Sequence, residues 1–143
     1  MATYVLVHGA WHTGRGLEPV AASIAAAERG DGSVVLPFPV WREAFINDAD
    51  LDTAKRAYEL LNPHPLKILT DKISLVTNPA EMKLAKSYLN CTEDTSLPHH
   101  YPWHPRLSQK LGLFRLVQVS GSQELCFSDP LRLAQAIMAA GRD

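Results

Sequence analysis

Short apolar segments alternate with amphipathic ones along the 143-residue chain, and the two patterns predict strands and helices in turn. The first apolar segment, residues 4–7, is an unbroken hydrophobic run of the kind found in strands that are buried on both faces. Similar short segments predict three further strands at residues 33–36, 85–91 and 113–119.

Apolar residues recur at helical spacing in the segments between these strands. They predict helices over residues 17–28, 41–46, 51–61 and 105–111. Gly30 and Gly32 end the first of these helices, and Asp50 is a suitable N-cap for the third.

The last predicted helix has the clearest boundaries. Asp129 is a suitable N-cap, Pro130 fits the first turn, and Gly141 is a typical end signal. The apolar spacing predicts that four residues of this helix face the core: Leu133, Ala134, Ile137 and Met138.

The order of these elements predicts the fold class. The chain begins with a β-α-β unit at residues 1–37, continues with a helical insert at residues 38–80, and ends with a β-α-β-α part at residues 81–143. Strands that alternate with helices are typical of an α/β protein with a mostly parallel sheet. The length suits one domain built from these three parts.

Composition narrows the range of partners and locations. The 14 Lys and Arg residues nearly balance the 15 Asp and Glu residues, so no basic face is indicated and we expect no nucleic-acid partner. No apolar run is long enough to span a membrane, and the N-terminus lacks the features of a signal peptide. Cys91 and Cys126 form no disulfide framework or metal-binding spacing. We therefore expect a cytoplasmic protein that does not contact a membrane.

Candidate chemistry lies in three loops, one after each of the strands 4–7, 85–91 and 113–119. Ligands of open α/β sheets bind at the carboxyl ends of the strands, where these loops begin. The first loop contains small residues whose backbone N–H groups could face an oxyanion, and the second carries the carboxylates Glu93 and Asp94. The third contains Gln123, whose amide does not accept a proton at neutral pH. Read singly, each loop also fits an ordinary solvated turn.

The histidines do not indicate a metal site. His99, His100 and His104 lie near Trp103, and His64 lies between two prolines. Such close spacing rarely provides the geometry of a metal centre, so an exposed loop is the better interpretation. We expect neither a metal nor a cofactor.

Together and in chain order, the three loops resemble those of the α/β-hydrolase superfamily. The likeness is to its branch of plant-type methylesterases, hydroxynitrile lyases and bacterial esterase relatives. It is carried by YVLVHGAWHTG at residues 4–14, by YLNCTED at 88–94, and by VSGSQEL at 119–125 with FSDP at 127–130. The middle third resembles the helical cap over the pocket of that family.

The resemblance implies a role for individual residues. The backbone N–H of Ala10 would be an oxyanion donor, and Asp94 would be the acid of the catalytic triad. Three residues beside the donor would contact the substrate: His8, Gly9 and Trp11. Gln123 stands where the family has its histidine base, and a glutamine can neither take up nor return the proton.

The family also carries its nucleophilic serine in a G-x-S-x-G motif, which this chain lacks. Ser33 directly follows Gly32, and Ser122 directly follows Gly121, so neither serine has the required flanking residues. We therefore expect an incomplete α/β-hydrolase sheet with a partial helical cap. The strand that would carry this serine is then missing from the sheet. Either the segment 33–36 takes its place, or two chains complete each other as a homo-oligomer or domain-swapped dimer.

These features leave three hypotheses for function. The first is a relative of serine carboxylic-ester hydrolases with impaired catalysis. The second is a non-enzymatic protein that binds a small apolar, ester-like ligand or a partner. The third is an internal-deletion product without activity.

Overall fold

The computed structural model describes residues 30–67, 71, 74–97, 99 and 102–141. The predicted strand at residues 4–7, the helix at 17–28 and the loop between them lie outside the described residues. In the described ranges, no helix is both long and apolar enough to cross a membrane.

The described strands are β1 (Ser33–Val34), β2 (His64–Pro65), β3 (Ser87–Cys91) and β4 (Arg115–Val119). The described α-helices are α1 (Phe38–Val40), α2 (Leu51–Tyr58), α3 (Leu125–Ser128) and α4 (Pro130–Ala140). A π-helical turn (Trp41–Phe45) continues α1, and 3-10 turns lie at Pro79–Glu81 and Ser108–Leu111.

Strands β3 and β4 form a parallel pair, with Ser87 opposite Arg115 and Cys91 opposite Val119. This confirms the two late strands and their parallel arrangement, each with narrower bounds than predicted. One face of the pair packs against α3 and α4 in an apolar cluster: Leu89, Cys91, Val117, Val119, Leu125, Leu133 and Ala136. The pair and its covering helix belong to the α/β class.

Helix α4 has the predicted ends but a different inward face. The Asp129 side chain accepts a hydrogen bond from the backbone N–H of Arg132, and the helix ends at Gly141. Ala136 is buried, whereas Ala134 and Met138 are exposed. The prediction was wrong for these last two because the buried stripe runs through residues 133, 136, 137 and 140, about one position further around the helix.

The predicted strand at residues 33–36 is shorter than expected and belongs to a different sheet. Only β1 is extended, and it pairs antiparallel with β2, with Ser33 opposite Pro65. The expectation that this segment fills a gap in the parallel sheet is therefore wrong for the described residues. Gly32, at φ +79°, turns the chain, and its carbonyl accepts a hydrogen bond from Leu66 that holds β1 against β2.

The helical insert has a small core of its own. Trp41, Ile46, Ala54 and Ala57 are buried together, and the Trp41 indole N–H donates to the carbonyl of Ala54. Asp50 caps α2 by accepting a hydrogen bond from the N–H of Thr53, as the sequence predicts. The predicted helices at residues 41–46 and 51–61 are thus confirmed, the first as a π-helical turn and the second with an earlier end.

The helix predicted at residues 105–111 is reduced to a turn and one 3-10 segment. Ser108 is buried there, and its hydroxyl donates to the carbonyl of Pro105. Gly112, at φ +70°, then ends the segment. A side chain that bonds nearby backbone in this way competes with regular helical hydrogen bonding.

Candidate functional site

The loops that follow β3 and β4 are joined to each other at the carboxyl end of the parallel pair. The backbone N–H of Thr92 donates to Val119 O over 2.9 Å, and that of Glu93 donates to Gly121 O over 3.0 Å. The Ser120 hydroxyl donates to the Glu93 carboxylate. The parallel register therefore brings the loop of Asp94 beside the loop of Gln123.

Asp94 and Gln123 are both hydrogen-bonded to a third residue, Ser96. The backbone N–H of Ser96 donates to Asp94 Oδ1 over 2.8 Å, and its hydroxyl donates to Gln123 Oε1 over 3.4 Å. The indole N–H of Trp103 donates to the same hydroxyl over 3.0 Å. Ser96 is buried, so this bridge is a fixed part of the site.

The Asp94 carboxyl is half-buried and has no cationic partner among the described residues. Burial raises its pKa above the ordinary value of 3.8, and hydrogen bonding from Ser96 only partly offsets this effect. Among the described residues Asp94 forms no ion pair. The charged form of Asp94 is therefore less stable than that of a carboxylate that faces an imidazolium.

The loop of Gln123 turns at Gly121, which has a φ of +145°. A Cβ at this position would lie 2.5 Å from Leu125 Cδ1, so the close approach of α3 requires glycine. The next residue, Ser122, is fully buried, and its hydroxyl accepts a hydrogen bond from the N–H of Glu124. This serine has no access to a substrate.

The helical insert is fastened to both loops by residues that the sequence analysis missed. The Asp48 carboxylate accepts hydrogen bonds from Ser122 N–H over 3.0 Å and from the Ser128 hydroxyl over 2.8 Å. Burial raises the pKa of Asp48, but these hydrogen bonds outweigh it and hold the pKa below 3.8. The Asn47 side-chain amide donates to Glu93 O over 3.1 Å.

Asn47 and Asp48 carried no sequence signal beyond that of ordinary loop residues. Their partners lie 46 and 74 positions further along the chain, which no local pattern reveals. The Oδ1 atom of Asn47 is buried without a hydrogen-bond partner. The hydrogen bonds of Asn47 and Asp48 therefore hold the two loops against the helical insert.

A cavity of about 220 Å³ opens beside Asp94. Its wall includes Cys91, Leu97, Trp103 and His104. Burial raises the pKa of the Cys91 thiol to about 11, aided by the nearby charges of Asp94 and Asp48. The thiol is therefore protonated at neutral pH and is a poor nucleophile.

A second cavity, of about 250 Å³, lies between α2 and α3 and is lined by residues such as Arg56, Leu60 and Phe127. It includes neither Asp94 nor Gln123. In the part of the chain that the structure describes, no three His, Cys, Asp or Glu side chains are grouped to hold a metal ion. His8, Gly9, Ala10 and Trp11, which the resemblance assigns to the oxyanion and substrate side, lie outside the described residues.

No protein-family model and no curated protein matches the chain. A solved structure does match it: an extracellular α/β-hydrolase from a Paenibacillus species, described as sharing structural and functional homology with tobacco salicylic acid binding protein 2. The identity is 33%, the TM-score is 0.76, and the match covers 89% of this chain. The chain spans 52% of the length of that protein. The relative is described as extracellular, so a cytoplasmic location stays a prediction.

Proposed function

We propose that this chain, a relative of the α/β-hydrolases, descends from serine carboxylic-ester hydrolases of the methylesterase and hydroxynitrile-lyase branch and no longer catalyses hydrolysis. The observation that carries the proposal is the bridge from Asp94 through Ser96 to Gln123. The family resemblance assigns Asp94 to the triad acid and Gln123 to the position of the triad histidine, and the bridge joins these two residues without a histidine between them.

The bridge lacks a group that can shuttle a proton. In a serine hydrolase the base takes the proton of the serine and returns it to the leaving group, while the acid stabilises the imidazolium. The Gln123 amide has no such basicity, and its oxygen is occupied by the Ser96 hydroxyl. Within the bridge, Asp94 therefore has no imidazolium to stabilise.

The described part of the site also offers no activated nucleophile. The chain has no G-x-S-x-G motif, Ser122 is fully buried, and the raised pKa of Cys91 keeps its thiol protonated. The Ser96 hydroxyl is buried and is engaged by both Trp103 and Gln123. Loss of the nucleophile and loss of the base thus support the same conclusion.

The second candidate function is non-enzymatic binding of a small ligand, which the cavity beside Asp94 favours. The described homology of the Paenibacillus protein to a salicylic-acid-binding protein is compatible with a binding role. Under this second hypothesis the chain keeps the ligand cavity and has lost the ability to hydrolyse esters.

A fluorophosphonate probe, which forms a covalent bond only with an activated serine, tests the proposal. We expect no labelling of the folded chain above that of the heat-denatured chain, while an active serine esterase in the same tube is labelled. Labelling of one serine, located by peptide mass spectrometry, would overturn the proposal. The Ser120→Ala variant, which removes the exposed serine of the site, would show whether that residue is responsible.

A further inference from the structure

One wall of the second cavity is a row of side chains on a single face of α2. Its members are three or four residues apart, so they lie over one another along the helix and the turn that follows it: Thr53, Arg56, Ala57 and Leu60. Phe127 and Ser128 of α3 form the opposite wall. The cavity, of about 250 Å³, therefore lies between the helical insert and the helix that follows the loop of Gln123.

The Arg56 guanidinium gives this cavity a positive end. Its Nη2 donates to the Thr53 hydroxyl over 2.9 Å, and this contact holds the guanidinium beside the cavity. A guanidinium carries five N–H donors in a planar fork that matches the two oxygens of a carboxylate. Arg56 is exposed, so a molecule that enters from solvent can reach the charge.

Two carboxylates near the cavity determine where a further negative charge would be favourable. The backbone N–H and the hydroxyl of Thr53 both donate to Asp50. These hydrogen bonds lower the pKa of Asp50 more than the charge of Arg56 does, so Asp50 is stabilised mainly by Thr53. At the opposite wall the Ser128 hydroxyl donates to Asp48 over 2.8 Å, which places a negative charge behind Ser128. An anionic group is therefore favoured at the Arg56 end of the cavity.

Ala57, Leu60 and Phe127 provide the apolar surface of the cavity. Leu60 is 66% exposed, so a molecule that covers it removes apolar area from water. The Phe127 ring packs edge-on against the Trp41 ring, with the two centroids 6.3 Å apart. An apolar chain in the cavity would lie between the Leu60 side chain and this supported ring.

We propose that this cavity binds a small monocarboxylate with a short apolar chain. The carboxylate would accept hydrogen bonds from the Arg56 guanidinium, and the chain would lie between Leu60 and Phe127. Because Leu60 belongs to the helical insert and Phe127 to α3, the bound molecule would connect two parts of the chain that Asp48 already joins. The inference goes beyond the proposed function and is independent of it, since the cavity contains neither Asp94 nor Gln123.

An NMR titration of the full chain with sodium n-hexanoate, near neutral pH and at low ionic strength, tests the proposal. We expect saturable shifts of the Arg56 Nε–H signal and of the Phe127 ring signals. The neutral isostere hexanamide should bind about fivefold more weakly, because it lacks the charge that pairs with Arg56. Acetate, which lacks the apolar chain, should bind about tenfold more weakly.

Variants at two exposed positions separate the roles of charge and chain without disturbing the core. Arg56→Gln should weaken hexanoate binding about fivefold and abolish the preference over hexanamide. Leu60→Ser should weaken hexanoate binding about threefold and leave that preference in place. The matched control is Lys55→Gln, which removes one positive charge at the neighbouring exposed position outside the cavity and should leave the affinity unchanged.

Thermal unfolding gives a second readout, because a molecule that binds only the folded chain stabilises it. Hexanoate should raise the melting temperature of the unaltered chain and of Lys55→Gln more than that of Arg56→Gln. Equal binding of hexanamide and hexanoate, or unchanged affinity in Arg56→Gln, would overturn the proposal. Shifts at the Trp103 indole N–H with none at Arg56 would also overturn it, because they would place hexanoate in the cavity beside Asp94.

Discussion

The Asp48 carboxylate accepts a hydrogen bond from the backbone N–H of Ser122, a residue 74 positions further along the chain. The first belongs to the helical insert and the second to the loop that carries Gln123. Through this bond the insert fixes the shape of that loop. The position of Gln123 therefore depends on residues outside its own β-α unit.

Replacing Asp48 should destabilise the chain because Ser122 is buried and its N–H would lose its acceptor. An unsatisfied buried donor costs about 1–3 kcal/mol, so we expect Asp48→Ala to lower the free energy of unfolding by that amount. Urea denaturation followed by circular dichroism measures it. Glu59→Ala, at an exposed carboxylate, is the matched control, and an equal loss in both variants would contradict the role of Asp48.

Stability should depend on pH with opposite signs at Asp48 and Asp94. The pKa of Asp48 is lowered from 3.8, so its contribution is present above that pH and is lost as the pH falls through the folded-state pKa. The pKa of Asp94 is raised from 3.8, so its contribution is present below that pH and is lost as the pH rises through the folded-state pKa.

The Asp94→Asn variant isolates the second effect. The amide oxygen can still accept from Ser96 N–H, while the half-buried charge is removed, so we expect no loss of stability at neutral pH and no loss of function of the chain. The variant should gain stability relative to the unaltered chain as the pH rises above 3.8. Denaturation curves across the pH range measure this, and a loss of several kcal/mol at neutral pH would reveal a positive partner of Asp94.

The features that could be predicted from the sequence, such as helix caps and strands, depend on residues that are close together along the chain. The side chains of Asp50 and Asp129 each accept a hydrogen bond from the backbone N–H three residues further along the chain, and this spacing can be read from the sequence. The parallel strands followed from apolar runs, and they brought the loops of Asp94 and Gln123 together. The roles of Ser96 and Asp48 could not be predicted, because both act on residues that the fold alone makes neighbours. The antiparallel pairing of β1 was missed, because its partner β2 lies in a proline-rich segment without strand character.

Gly121 should tolerate no side chain. Gly121→Ala would place a Cβ 2.5 Å from Leu125 Cδ1, in addition to the strain of a positive φ. We expect a loss of about 1–3 kcal/mol in the free energy of unfolding from the clash, beyond the backbone strain. Gly30→Ala is the control for strain alone, since its φ is +76° and nothing lies within 4 Å of the added atom. Similar losses in the two variants would show that the Leu125 contact is relaxed without cost.

The chain should self-associate as a homo-oligomer or domain-swapped dimer. Within the described residues, β3 and β4 form a two-stranded sheet, and apolar side chains nearby are exposed, such as Leu113 at 91% and Leu116 at 39%. Unpaired edges of apolar strands pair readily with other chains. Size-exclusion chromatography with light scattering should give more than the monomer mass of 15.8 kDa.

A charge on the sheet should disrupt this association. We expect Leu116→Lys to shift the chain towards monomer, because a lysine on an apolar strand surface opposes edge pairing. Leu60→Lys, at an exposed position after α2, is the control and should leave the mass unchanged. A monomer at every concentration of the unaltered chain would rule out self-association.

Restoring the base alone should not restore catalysis. The Gln123→His variant returns a proton acceptor to the loop after β4, yet no described serine of the site is free to use it. Loss of a triad nucleophile costs on the order of a millionfold in turnover.

Initial-rate hydrolysis of p-nitrophenyl acetate by the unaltered chain and by Gln123→His therefore tests the central claim most directly. The Ser96→Ala variant is the control, because the Ser96 hydroxyl is the one that contacts Gln123. The proposal that catalysis is lost predicts hydrolysis rates at the buffer background for all three proteins. Saturable turnover by the unaltered chain or by Gln123→His, abolished in a variant that also carries Ser96→Ala, would contradict it and identify Ser96 as a recruited nucleophile.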